Sequence, residues 1–525
     1  MENTIRSEEK RLTRAAGVVS FFTLLSRILG LVRDMVIATL FGAGMYADAF
    51  FVAFRIPNLM RRLFAEGSLT ISFIPIFTEH LQRDGKVKAF YMARSVMWIL
   101  VMILSLISVL GILLAPLIVR VQAWGFIGDQ IKYALTVDLT RITFPYIFFI
   151  SLVAFFMGIL NSLGHFGAPA SAPILLNLGI IGSALLISPH LSIPVKGLAM
   201  GVLLGGIMQL LLQVPWLIKK GFSFRFYWNP KHPAIKRIGI LMLPAIFGSA
   251  IYQVNIFVST LLASFLREGS ISWLYYADRL VQFPLGVFAI AISTASLPSL
   301  SRQGLLKEGM QRFKDTLNYS LRMVLLIAIP SSVGLIIVGK TLIILFFERG
   351  AFDPLSTDMT YRALIFYSLG LCSFSIIRIL VSAFYSIQDT KTPVKIASLA
   401  FAFNLLFSLL LMRPLGHGGL ALSLSLSSTI QAFFLAIMLK KKIGIAPFTG
   451  SFMELFKYLA SALCMGILLS YLKIFLETYL SMNSILMLFV LVISGALIYV
   501  SGLYLLRCRG VEVIAVFRER LFKIR

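Results

Sequence analysis

Apolar runs of bilayer-spanning length dominate the chain and limit what it can become. They fall near 15–40, 47–80, 89–119, 133–160, 170–188, 197–218, 236–264, 271–300, 316–338, 358–386, 394–412, 418–439, 453–476 and 482–506. A helix that crosses the hydrocarbon layer needs roughly 20 mainly apolar residues, so each run is one candidate span. A soluble domain cannot hide this much apolar surface, because a single core stops growing well below 525 residues. With 58% hydrophobic residues, 13% charged and a mean hydropathy of +0.91, the expectation is an all-α polytopic membrane protein of about fourteen transmembrane helices. The first run contains Arg27 and is too long for the apolar part of a secretory leader, so it reads as a retained helix.

The net charge of +26 would point to nucleic acid in a soluble protein, but here Lys and Arg are spread over many short loops. No nucleic-acid partner is expected. Basic clusters mark alternate loops, among them Arg83, Lys86 and Lys88; Lys219, Lys220 and Arg225; and Lys440, Lys441 and Lys442. The positive-inside rule places those loops and both basic tails in the cytoplasm, in line with an even helix count. Cys372, Cys464 and Cys508 have no metal-ligand spacing, and the chain shows no zinc motif, phosphate loop or nucleophile elbow. No metal, cofactor or catalytic set is expected.

The chain also repeats itself. Gly197-Leu198-Ala199, Gln209 and Lys219-Lys220 return at the same spacing as Gly419-Leu420-Ala421, Gln431 and Lys441-Lys442. Pro75 and Pro298 lie 223 residues apart, in "FIPIF" and "SLPSL". The repeat predicts two six-helix lobes of equal orientation, 1–222 and 223–445, followed by 446–525 with two extra C-terminal helices and a basic cytoplasmic tail.

Ionisable residues inside spans are expensive, so they usually face a cavity or a partner. Helix 1 carries Arg27 near its middle and then Arg33 with Asp34. Helix 2 carries Asp48, Arg55 and Arg62 seven residues apart, on one face, with Arg61 and Glu66 beside them and Pro57 to loosen the helix. Helix 8 carries Asp278 and Arg279 ahead of Pro284. Some of these have plainer readings. Arg61, Arg62 and Glu66 also suit a helix end with snorkelling side chains, and Arg33 with Asp34 also suits a structural ion pair. Arg27 and Arg279 lie in apolar stretches with little nearby neutralisation. Arginine binds phosphate oxygens with a two-pronged fork and stays charged, so the set reads as a site for an anion, a phosphate or pyrophosphate.

Residues 26–77, "SRILGLVRDMVIATLFGAGMYADAFFVAFRIPNLMRRLFAEGSLTISFIPIF", closely resemble the MurJ (MviN) family of lipid II flippases, as do "SWLYYADRLVQFPLGV", "LPSLS", "RALIFYSLG" and "FYSIQDTKTPVKIA". The resemblance covers nearly the whole chain and weakens over the last two helices. It implies two lobes around a central cavity, a groove made by the extra helices, and alternating access. It also implies lipid II as the substrate, carried from the cytoplasmic to the outer leaflet of the inner membrane for cell-wall synthesis, with membrane lipids and wall-synthesis proteins as other contacts. By motif, the family's cavity arginines fall on Arg27, Arg33, Arg61 and Arg279, a basic residue on Arg55, and carboxylates on Asp48 and Asp278. Gln282 stands where some relatives carry Glu. Helices 7 and 11 offer Gln253, Asn255, Asn404 and Ser408 but no acid, a weak set for a hard cation. Other readings are an exporter of the same fold for another lipid-linked glycan or a drug, and a scaffold of wall synthesis that transports nothing.

Overall fold

The computed structural model describes residues 2–61, 69–304, 309–444, 447–448, 452–479 and 483–508. Among them every regular element is helical. A bilayer offers backbone amides no water, and a helix satisfies them within its own segment. Eleven helices among the described residues are long and apolar enough to cross a membrane. The other three apolar runs fall on α1 (Glu2–Phe41), on the pair α2 (Met45–Met60) and α3 (Leu69–Arg83), and on α10 (Pro233–Ser264). The multi-pass helical architecture is therefore as the sequence indicates.

The chain forms two compact units, Met1–Ile271 and Ser272–Arg525. The first holds α1 to α3, then α4 (Gly85–Leu113), α5 (Ala115–Gln122), α6 (Gln130–Thr143), α7 (Tyr146–Ser162), α8 (Gly167–Leu186), α9 (Lys196–Lys219) and α10. An apolar cluster joins α3, α4, α7, α9 and the start of α10 through Phe73, Phe77, Phe90, Phe155, Ile159, Leu217 and Ile238. The Phe73 and Phe155 rings lie 4.6 Å apart. Beside it α8 and α9 touch backbone to backbone, and a Cβ added at Gly179 would sit 2.7 Å from the Gly205 backbone. Lipid tails are as apolar as leucine, so close helix approach through small residues supplies the packing that hydrophobicity cannot.

The second unit holds α11 (Ser270–Pro284) from Ser272 onward, α12 (Ile290–Gly304), α13 (Met310–Phe346), α14 (Pro354–Ser386), α15 (Lys391–Leu415), α16 (His417–Ile443), α17 (Phe452–Tyr479) and α18 (Ser484–Leu505). A π-helical turn, Leu285–Ala289, joins α11 to α12 directly after Pro284. Small residues again bring helices together: Ser425 Oγ on α16 donates to the Phe366 carbonyl on α14 at 2.7 Å. The last two helices, α17 and α18, pack on α13 through Tyr458, Met465, Leu469, Leu491 and Tyr499. Between α14 and α15, Asp389 accepts from the Thr392 amide, its hydroxyl and Lys442 Nζ, tying the start of α15 to the end of α16.

Candidate functional site

In the first unit the charges sit on α1 and α2. Arg27 is exposed on α1 and makes no hydrogen bond or ion pair with any described residue. Two turns further on, Arg33 is buried and forms an ion pair with Asp34, Nη2 to Oδ1 at 2.6 Å and Nε to Oδ1 at 3.0 Å. Its Nη1 donates to Asn177 Oδ1 on α8 at 3.1 Å, and Asn177 Nδ2 donates to the Ser26 carbonyl at 3.0 Å. One amide thus fixes α1 along α8 and presents the guanidinium in a set orientation.

Asp48 lies in the first turn of α2 with 1% of its surface exposed. Its Oδ2 accepts from Lys132 Nζ at 2.9 Å and from the Gly269 amide at 2.8 Å, while Glu268 Oε1 accepts from the Met45 amide at 2.7 Å. The carboxylate near a helix N-terminus is favoured by the helix dipole, and the ammonium neutralises it in the interior. Lys132 itself lies 4.2 Å from the Phe126 ring centroid. Sequence reasoning missed Lys132. A signal existed: Lys132 follows the Asp129 cap of α6 by three residues, at a helix start where a cation is disfavoured unless a carboxylate faces it.

Further along α2, Arg55 is half-buried and Pro57 lies inside the helix. Arg61 follows in a widened turn, its Nε donating to Asn58 Oδ1 at 3.1 Å. Arg62 and Glu66 lie outside the described residues. In the second unit Arg279 is half-buried on α11; its Nη2 donates to the Tyr275 hydroxyl at 2.7 Å, and the guanidinium lies 5.3 Å from that ring. Gln282 Nε2 donates to Asp278 Oδ1 at 3.5 Å. The first unit therefore brings Arg33, Asp34 and Asn177 together at one place and Asp48, Lys132 and Gly269 at another. Arg27 stands clear of both.

The family described as "Lipid II flippase MurJ" matches residues 37–491. A probable lipid II flippase MurJ of Vibrio cholerae is 42% identical over 432 residues, covering 80% of this chain and 82% of that protein. The lipid II flippase MurJ of Burkholderia cenocepacia is 39% identical over 443 residues, covering 84% and 86%. Among solved structures, a lipid II flippase MurJ in an inward closed conformation superposes with a TM-score of 0.78 at 28% identity, over 92% of this chain and 97% of that one. A multidrug resistance MATE family transporter of the MOP superfamily shares the fold, with a TM-score of 0.68 at 14% identity, over 82% and 98%. A family match across 37–491 and relatives near 40% identity over four-fifths of their length settle the kinship: this chain belongs to the MurJ family of lipid II flippases.

Proposed function

We propose that the chain is a transporter that moves lipid II from the cytoplasmic to the outer leaflet of the inner membrane, supplying cell-wall synthesis. The observation that carries this reading, beside the family, is Arg27, a guanidinium within an apolar run that makes no hydrogen bond or ion pair with any described residue. Arg61 Nε also donates to Asn58 Oδ1 and Arg279 Nη2 to the Tyr275 hydroxyl, so these side chains are held in place on their helices. An arginine at the bilayer centre costs about 2.5–3.5 kcal/mol on insertion scales, a burden explained by use on an anionic substrate. A pyrophosphate offers several oxygens to such forks.

In this reading Arg27, Arg33, Arg55, Arg61, Arg62 and Arg279 bind the headgroup, while Asp34, Asp48, Glu66 and Asp278 pair charges or gate. The repeated halves 1–222 and 223–445 are the alternating parts, with 446–525 as an addition, both termini lie in the cytoplasm, and wall-synthesis proteins are neighbours. Depleting the protein and measuring the leaflet on which lipid II accumulates tests the proposal. Accumulation in the cytoplasmic leaflet is expected, and an unchanged leaflet distribution overturns it.

A further inference from the structure

Behind α9 the chain runs without helix through Phe222-Ser223-Phe224-Arg225-Phe226-Tyr227-Trp228-Asn229 and lies along the first turns of α4. Phe222 meets Phe90 at 5.4 Å between ring centroids, Tyr227 meets Tyr91 at 5.1 Å, and Phe226 meets Trp98 at 5.3 Å. The Asn229 amide donates to Ser95 Oγ at 3.0 Å. Beneath this aromatic cover lies Arg94, 9% exposed, its guanidinium 4.1 Å from the Tyr91 ring and 5.7 Å from the Tyr227 ring. Arg94 forms no ion pair with any described residue, and its buried Nε has no hydrogen-bond partner there. One helical turn on, the buried Nε1 of Trp98 is likewise without an acceptor. Two buried donors on one helix face, four residues apart and lacking an acceptor, call for an anion.

The rim shows where that anion comes from. Phe226 is 70% exposed and stacks parallel to the half-exposed Trp228 at 6.4 Å, with Tyr91 and Val87 exposed nearby. Arg225, Lys86 and Lys88 are exposed beside them, and Asp84 at the same helix end is engaged by His80. Exposed aromatics with basic residues at the end of a spanning helix belong at headgroup level. A free phosphate would gain nothing from the apolar rim. We infer that Arg94, roofed by Tyr91 and Tyr227, binds the phosphate of an anionic glycerophospholipid whose chains lie against Phe226 and Trp228. The site is separate from the arginines proposed for the transported headgroup and uses a different ligand.

The test is native mass spectrometry of the full chain in detergent with equal amounts of phosphatidylglycerol and phosphatidylcholine. Wild type is expected to retain phosphatidylglycerol about fivefold better, and Arg94→Gln to lose that preference while Arg94→Lys keeps part of it. The pair Phe226→Ser with Trp228→Ser, two exposed side chains, is expected to reduce phosphatidylglycerol retention and covers the case in which Arg94→Gln fails to fold. No preference in wild type, or full retention by Arg94→Gln or by the surface pair, overturns the site. Displacement of the lipid by inorganic phosphate at equal concentration overturns its assignment to a lipid.

Discussion

Truncating Arg27 removes a guanidinium that makes no hydrogen bond or ion pair with any described residue, so nothing buried is stranded. We expect Arg27→Ala to reach the membrane at near wild-type abundance and to lose lipid II flipping, with Arg27→Lys partly active because charge stays while the fork is lost. Arg33→Ala is the contrast. It leaves Asp34, 0% exposed, without the guanidinium that holds it, a loss of about 3–5 kcal/mol, and abundance should fall. Lys132→Ala should behave likewise, because it takes the ammonium from buried Asp48. Immunoblots of isolated membranes read beside a flipping assay separate the two classes; reduced abundance for Arg27→Ala, or normal flipping, would remove it from the substrate set. The Arg33–Asp34 ion pair was legible as a possibility because the two residues are neighbours in sequence. The Asp48–Lys132 pair was not, since 84 residues separate its members and only the packing of α2 on α6 joins them. Arg94 escaped notice for a related reason: it lies in an apolar run, and its aromatic roof arrives from a loop more than a hundred residues later.

Proline placement explains where single apolar runs become two elements. Pro284 offers no N–H to the Leu280 carbonyl and its ring crowds that turn, and the helix answers with the π-turn Leu285–Ala289 before resuming as α12. Pro284 was visible in the sequence, whereas the register change was not, because a five-residue turn alters side-chain periodicity too briefly to read. We expect Pro284→Ala to slow amide hydrogen exchange over residues 280–290 and to depress flipping by stiffening the bend; unchanged exchange would mean that neighbouring packing imposes the π-turn. A second element-level tie is Asp389. Burial opposes its ionisation, yet bonds from Lys442 and Thr392 prevail and hold the carboxyl at about 2 instead of 3.8. A depressed carboxyl stabilises the fold fully above pH 3.8 and loses that contribution as pH falls through 2. Since Lys442 is 49% exposed and screened, the tie is worth about 1 kcal/mol. Asp389→Asn should therefore lower the melting temperature at pH 7 and show a shallower loss between pH 4 and pH 2. Equal melting of variant and wild type across that range would show the tie to be energetically idle.

Across the whole molecule, the number of passes was readable because a bilayer gives each long apolar run a single backbone solution. The compact units were harder to read. Apolar residues facing lipid and those facing protein look alike in sequence, so nothing marked α10 as packing with α3 and α5 in the first unit. Orientation follows from a different quantity, the distribution of the 48 Lys and Arg residues against 22 Asp and Glu. In the proposed topology fourteen passes bring the chain back to the side where it started, and the positive-inside rule assigns the side of the basic loops to the cytoplasm. Three positions test the pattern independently: after Lys10, within the 220–232 loop at Lys231, and after Arg520 in the basic tail. Reporters at all three should score cytoplasmic, with phosphatase fusions silent and fluorescent fusions bright. A periplasmic score at Lys231 alone would mean an odd number of passes ahead of it, and would strike first at α1 or the α2–α3 pair, the passes before α10 that are not among the eleven helices long and apolar enough to cross a membrane. A periplasmic score only after Arg520 would instead put one of α17 and α18, but not both, outside the membrane, leaving the passes ahead of them unchanged and taking one member of the pair that packs on α13 from the set of spans.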